Sequence, residues 1–569
     1  MKTRHALPLA ALALLGCVTL ALPAHAQPVH GFVDLHSHLM AEHSFGGGWY
    51  SGRAEGPMHS AVERCDGNVL GSTHAAVRIP AVATFFNEDT GWHPFTRRGY
   101  DTRRCQKAFG FINIPGTCPQ EHFENWPKWN SLAHQQMWQG WLQQAHQGGL
   151  RIMVASLAES NFLCTLTEQH TRRYGCDEME SIRRQLFMLR VFASANSGWV
   201  ELATSPAHAR RIIHAGKLAI VPSVEVTQLF PSGDFLAQLD ELRALGVRSV
   251  QVVHHANNRF GGAAPMSDLL LAANVAEATL SGVSTQINDN ICRDSAGARG
   301  DCDGDTYLNE KGLTADGVTL VNAMMDRGML LDVAHLSRRA FARTYTLAQP
   351  RGYPLLYSHT HMWDEIDSSE NRHEKYLQPG EYHMIQNEGG MIGLRTGNED
   401  TRSRSNVWPP NTCPGSTASF AQSLRAAVDS NLKVGFGADF NGFAKQVRPR
   451  WGTLLAPCHV DQAQINATGG ANEFHKKGLA HVGMLPALVA DMARMGLPAS
   501  YINQLNSSAE NFLLLWEKSV SRASNAHSNW ARQATVTASS TFCTPWGPDH
   551  CYSPERVNDG NRSTGLGGT

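Results

Sequence analysis

GFVDLHSH, residues 31–38, is an apolar run of strand length that ends in two imidazoles. Its composition predicts a buried β-strand. Side chains alternate along a strand with a period of two, so His36 and His38 leave on the same side, with Asp34 sharing their parity. The same layout recurs four times: LAIVPSVEV (218–226) carries Glu225, MLLDVAHL (329–336) carries His335, PLLYSHTH (354–361) carries His359, and KVGFGADFNG (433–442) carries Asp439. Each ligand-type residue stands where its apolar run gives out. The carboxyl ends of the strands of a parallel barrel share one face, so residues far apart in sequence meet there. Four imidazoles and two carboxylates suit one or two borderline divalent ions, zinc being the first candidate.

Three further runs bring the candidate strands to Gly31–His38, Arg151–Ala158, Leu218–Val226, Ser249–His255, Met329–Leu336, Pro354–His359, Gly390–Arg395 and Lys433–Asp439. Helical patterns separate several of them, at Leu132–Gln147, Glu178–Ala195, Phe235–Leu245 and Thr314–Asp326. Strands alternating with helices predict an α/β fold with parallel strands, and eight such strands predict closure into a (β/α)8 TIM barrel. An open doubly wound sheet is the alternative, but it explains less well why the ligand-type residues fall on strands one, three, five, six and eight. The barrel is expected over 27–520, with a long insertion at 39–150 following the first strand. An insertion there lies over the active face as a lid or wall, or is a disulfide-pinned decoration.

The chain has 569 residues, 42% of them hydrophobic and 17% charged, with a formal net charge of −1. That balance argues against nucleic acid or an anionic membrane surface as the main partner, since both reward a basic excess. Lys2 and Arg4, the apolar run Ala6–Leu22 and the small-x-small triplet Ala24-His25-Ala26 read as a signal peptide over 1–26, with a lipoprotein box at Cys17 as the alternative. No later stretch is apolar for long enough to span a bilayer, so the mature protein is expected to be secreted or periplasmic. Twelve cysteines in an exported chain read as disulfides, with Cys164–Cys176, Cys292–Cys302 and Cys543–Cys551 as the close pairs. Asp301-x-Asp303-x-Asp305 lacks the glycine and glutamate of a calcium hand. Residues 521–569 turn to Ser, Ala and Asn and then to ATVTASSTFC (534–543) and YSPERVNDGNRSTG (552–565). These segments resemble the opening of a discoidin-type (coagulation factor 5/8 C-terminal) sugar-binding module, with too few residues to close a core.

The motifs PSVEVTQL (222–229), VQVVHHANNRFGG (250–262), GLTADG (312–317), MDRGMLLDVAHLS (325–337), YSHTH (357–361), NEGGMIGL (387–394) and VGFGADFNG (434–442) resemble, in order, the membrane (renal) dipeptidase family of the amidohydrolase superfamily. The likeness runs from about Val29 to Lys518. It implies that His36 belongs to a first metal, that Glu225 bridges two metals, that His335 and His359 hold the second, and that Asp439 is the acidic residue of the last strand. It also implies that His254 contacts the scissile carbonyl and that Arg372, in ENRHEKYL (370–377), receives the substrate carboxylate. One departure stands out: the family's usual His-x-Asp is His-x-His here, so the first site is less negative by one carboxylate. His255 is expected to face away from His254 as a packing residue, and His361 to be a loop histidine.

The expected function is hydrolysis of the amide bond of dipeptides or similar small substrates by a metal-activated water, with Asp439 as ligand and base and His254 at the developing oxyanion. A lactonase or other non-peptide amidohydrolase would use the same metals with a different pocket. A non-catalytic carbohydrate-binding protein would rest on the tail alone. A homodimer is left open. No Gly-x-Ser-x-Gly elbow supports a serine nucleophile.

Overall fold

The computed structural model describes residues 27–62 (except 48 and 51), 134–166, 172–265, 308–366, 373–450 (except 398–400, 402–404 and 412) and 473–523, with short pieces at 107–108, 112–113, 129, 287–288, 542–543 and 551–552. Arg372, the expected signal peptide (1–26), most of the expected insertion (39–150), the 301–305 acidic run, Cys292, Cys302 and nearly all of residues 521–569 lie outside the described residues.

The apolar runs fold as parallel strands. They are β1 (Phe32–Ser37), β2 (Leu150–Glu159), β3 (Val200–Leu202), β4 (Leu218–Val226), β5 (Ser249–Val250), β6 (Leu356–Thr360), β7 (Met391–Leu394) and β8 (Lys433–Phe436). They pair in the order β6-β7-β8-β1-β2-β4-β3, and β5 also pairs with β4; every pairing is parallel. The result is an α/β fold whose sheet curves as a half-barrel, consistent with a TIM-type barrel. Between β5 and β6, single parallel bridges at Ser249–Leu330 and Asp332–Leu356 carry the pairing across.

Two expected strands are shorter than their apolar runs. Ser249–His255 is a strand only over its first two residues, and Met329–Leu336 contributes only bridges. Side-chain hydrogen bonds add to the few backbone bonds of this seam. Gln251 Nε2 donates to Asp332 Oδ2 at 3.0 Å and to Ser358 Oγ at 3.3 Å, and Ser358 N donates to Asp332 Oδ1 at 3.1 Å. Three residues long, β3 carries too little periodicity to be read from sequence. It pairs with Leu218–Ile220 of β4, leaving Ser223 and Val224 to β5.

Helices cover the sheet: α1 (Gln139–Gln147), α2 (Glu178–Ala195), α3 (Pro206–His214), α4 (Phe235–Ala244), α5 (Ala315–Asp326), α6 (Arg338–Ala348), α7 (Thr417–Asp429), α8 (Leu485–Arg494), α9 (Ala499–Asn506) and α10 (Ser508–Arg522). Asp177, Ser205, Asp234, Thr314, Ser337 and Ser416 each accept a backbone N–H of the following first turn. Those N-caps set where the helices begin.

Val33, Leu35, Ile152, Val154, Ala219, Val221, Leu330, Leu356 and Met391 gather in one buried cluster with Phe512, Leu513 and Trp516 of α10. Side chains from so many strands meet only on the concave side of a curved sheet. Along β4, Glu225 shares the parity of Ala219 and Val221, so it points to that same side, at the strand's carboxyl end. In β1 and β6 the register slips just before the imidazoles, between Asp34 and Ser37 and between Tyr357 and Thr360. Asp34 serves the β1–β8 junction, accepting from Ser37 Oγ at 2.6 Å and from Ala438 N at 3.0 Å.

Candidate metal centre

Glu225 is the hub of the carboxyl end. Its Oε2 lies 3.1 Å from His36 Nε2 and 3.4 Å from His38 Nε2. Its Oε1 lies 3.1 Å from His335 Nε2, 3.5 Å from His254 Nε2 and 3.9 Å from His359 Nε2. Asp439 Oδ1 is 3.1 Å from His38 Nε2 and 3.9 Å from His36 Nε2. All seven residues are buried. Two trios therefore form about one carboxylate: His36, His38 and Glu225, and Glu225, His335 and His359.

The atoms fit a cation better than they fit one another. His335 Nε2 and His359 Nε2 face each other at 2.8 Å, where two lone pairs repel unless a proton or a metal stands between them. His36 Nε2 and Glu225 Oε1 have no aligned hydrogen-bond partner among the described residues, a costly state for buried polar atoms. Two of the outer nitrogens are anchored. His38 Nδ1 donates to the Ser156 carbonyl at 3.1 Å, leaving its Nε2 lone pair for the centre, and His359 Nδ1 meets Ser358 Oγ at 3.1 Å. Such nitrogen and oxygen donors suit zinc and similar divalent ions.

Backbone strain marks two of these positions. His335 has φ 63° and Asp439 φ 55°, left-handed values that cost a residue other than glycine about 1 kcal/mol or more. Asp439 is held there by its N–H, which donates to the His36 carbonyl at 2.7 Å.

Burial and neighbouring charge sort the protonation states. Burial opposes the Glu225 charge, but the imidazoles of His36 and His254 hold its carboxyl well below the usual range. Burial, then the neighbouring His255 and His36 respectively, holds His254 and His359 well below the ordinary imidazole value. His335 is lowered, chiefly by burial. Burial lowers His36 too, but the charges of Glu225 and Asp439 outweigh it and push that imidazole up to about 9. Asp439 is lowered against the effect of burial by His38 and by Arg395.

Three side chains differ from the sequence reading or were missed by it. His255 does not face away: its ring centroid lies 3.5 Å from that of His254 and 5.8 Å from that of His335, and the three could form a further metal-ligating group. The period-two argument fails because the strand ends at Val250. Arg395, in the residue after β7, places NH2 3.1 Å from Asp439 Oδ2. Its signal was a charged residue closing the apolar run NEGGMIGL. Lys375 is buried (5% exposed), with its carbonyl accepting from Thr360 Oγ1 at 3.2 Å, and its charge helps to lower His335 and His255. His361 is buried against the Tyr376 ring and lines a small cavity with Arg395.

The family model for membrane dipeptidase (peptidase family M19) matches residues 121–287 and 280–448, together more than half the chain. The chain belongs to the membrane dipeptidase family. It is therefore a metal-dependent hydrolase. The matched residues contain Glu225, His254, His335, His359 and Asp439, whereas His36 and His38 precede them, so the match is shorter than the likeness read from the motifs. Among solved structures, an amidohydrolase from Pseudomonas aeruginosa is similar at 15% identity, over 67% of this chain and 93% of that one, with a TM-score of 0.43. A metallopeptidase from Rhodobacter sphaeroides, liganded with a phosphinate mimic of the dipeptide L-Ala-D-Ala, is similar at 17% identity, over 66% of this chain and 89% of that one, with a TM-score of 0.43. The probable dipeptidase PvdM from Pseudomonas aeruginosa is similar at 20% identity, over 70% and 90%, with a TM-score of 0.38. A search of curated proteins found no match.

Cys164 and Cys176 form the expected disulfide. No described helix is long and apolar enough to cross a membrane.

Proposed function

We propose that this chain is an exported dinuclear peptidase that cleaves the amide bond of dipeptides or similarly small substrates. The observation that carries the reading is the division of Glu225: one oxygen faces His36 and His38, the other faces His335 and His359. His36, His38 and Glu225, with Asp439 beside them, would hold a first divalent ion, and Glu225, His335 and His359 a second, zinc being the best fit to the donors. Two such ions supply Lewis acidity and a water acidified toward neutrality.

The chain's own groups do the rest. Asp439 takes the proton of the attacking water and returns it to the leaving nitrogen. His254, held neutral by burial, donates a hydrogen bond to the oxygen of the scissile carbonyl as charge develops there. By the resemblance, Arg372, which lies outside the described residues, would receive the free carboxylate of the substrate.

A lactonase or other non-peptide amidohydrolase is the second reading. It is favoured by His38, an imidazole where the family's first site usually has a carboxylate. The test is metal analysis of the mature protein with a panel of dipeptides and lactones, each with and without chelator. The proposal expects chelator-sensitive dipeptide hydrolysis that Glu225→Gln abolishes together with metal uptake. Lactone turnover without dipeptide turnover would replace it with the second reading, and activity indifferent to chelator would overturn both.

A further inference from the structure

We infer that Arg395 is a positioning residue for the first half of the centre: it grips Asp439 by Oδ2 so that Oδ1 is presented beside His36 and His38 as a further donor. The inference rests on the dinuclear reading above. The two Asp439 oxygens have different partners, Oδ2 lying 3.1 Å from Arg395 NH2 and Oδ1 lying 3.1 Å from His38 Nε2. Side chains this enclosed (4% exposed for Arg395, 10% for Asp439) do not exchange partners with solvent.

A carboxylate on one rotatable bond can turn its oxygens over. Two features oppose that here, and a third leaves Oδ1 room where it stands. The Asp439 backbone is fixed in a left-handed conformation by the His36 carbonyl. Gly442 stands so close that a Cβ there would come within 1.7 Å of Oδ1, so a side chain at 442 would occupy the place of that oxygen. Arg395 is itself anchored by its N–H to the Thr360 carbonyl at 2.9 Å, next to His359 on β6. The guanidinium thus couples the strand end that carries the second-half imidazole to the carboxylate of the first half.

Composition explains why this half-site needs the help. His38 is not an anionic ligand type, and Glu225 is shared between both halves, so the orientation of Asp439 decides how much anionic character the first half has. Ligating carboxylates are ordinarily held by an outer hydrogen-bonding group, and loss of such a group typically costs metal affinity about 10- to 100-fold. A role in charge balance alone would act in the opposite direction, because removing a cation would tighten metal binding.

The experiment titrates Co2+ into stripped wild type, Arg395→Met and Arg395→Lys, reading the visible absorption bands and stoichiometry, with kcat and KM on the reloaded enzymes. Positioning predicts that in Arg395→Met one of two equivalents binds about 10- to 100-fold more weakly with altered bands, while the other is unchanged. kcat falls while KM holds, and Arg395→Lys recovers part of the loss. Should Arg395→Met not fold by circular dichroism, Arg395→Lys carries the test, with the same equivalent weakened by a smaller factor. Two equivalents bound as tightly as in wild type, or more tightly, with unaltered bands, overturn the inference and leave the dinuclear reading intact. A wild type that takes up no Co2+ sinks that reading and this inference with it.

Discussion

Stripping the metals from this protein should expose a pH dependence of stability that originates at one imidazole. In the metal-free state, the charges of Glu225 and Asp439 push His36 up to about 9 despite its burial, against an ordinary 6.5. At about 1.36 kcal/mol per unit, that difference is worth roughly 3 kcal/mol of folding free energy. A folded-state value above the unfolded one means the folded protein holds the proton more tightly. The contribution is therefore complete below about pH 6.5 and is lost as pH rises through 9. Glu42, Glu159 and Glu374, each raised by burial from 4.5 to about 8, act with the same sign over a window that ends near pH 8 and overlaps that of His36. The quantity to measure is thus the difference between wild type and Glu225→Gln, in urea unfolding of chelator-treated protein at pH 6, 7.5 and 9.5. Without the Glu225 charge, the largest influence raising His36 is gone and burial lowers it against Asp439 and Asp332 alone. Wild type should lose about 3 kcal/mol more than the variant between pH 6 and 9.5. Metal-loaded wild type should lose this component, because a ligating imidazole is unprotonated, and loading near pH 7.5 should release about one proton. Identical slopes for stripped wild type and Glu225→Gln would refute the reasoning.

Three more outcomes follow from the geometry. Gly442→Ala brings a methyl group onto Asp439 Oδ1, the end of a side chain that can turn away, so kcat should fall by about 100-fold or more while thermal stability changes by about 1 kcal/mol; unchanged kcat would show that the position of this oxygen is immaterial. His38→Asp adds a carboxylate near Glu225 and Asp439, costing the stripped protein about 3 kcal/mol per neighbouring charge at roughly 5 Å while tightening the first metal. The gap between stripped and loaded melting temperatures should therefore widen, and a narrower gap would contradict the charge argument. Cys164→Ser with Cys176→Ser opens a disulfide of sequence separation 12, worth about 3 kcal/mol by loop closure. The loss should appear in urea unfolding of the unreduced proteins, and a variant as stable as wild type would contradict it.

Much of the fold, and the convergence of the candidate ligands, was legible because both depend on local pattern. The apolar runs that end in His36, Glu225, His335, His359 and Asp439 mark strand-like segments by composition alone. The helical patterns read at Glu178–Ala195 and Thr314–Asp326 fall on α2 and α5. Convergence at one face then follows from parallel topology, without any knowledge of contacts. The failures have a common cause too. The outward reading of His255 assumed that β5 continues past Val250, and the reading of Met329–Leu336 as a full strand assumed an unbroken ladder. Both segments are apolar enough for strands, but a few separate backbone bonds pair them rather than a continuous ladder, with the side chains of Gln251, Asp332 and Ser358 bonded beside them.

The sequence by itself determined which residue types are available to hold cations and that parallel strands would deliver them to one face. Only the tertiary structure decided how they divide: which imidazoles meet which oxygen of Glu225, that His255 joins the cluster, and that Arg395 reaches Asp439. The physical reason is that alternation along a strand specifies a side chain's face only while the strand lasts. Beyond its end, at the residues that would do the chemistry, direction is set by register slips, left-handed turns and contacts with residues hundreds of positions away.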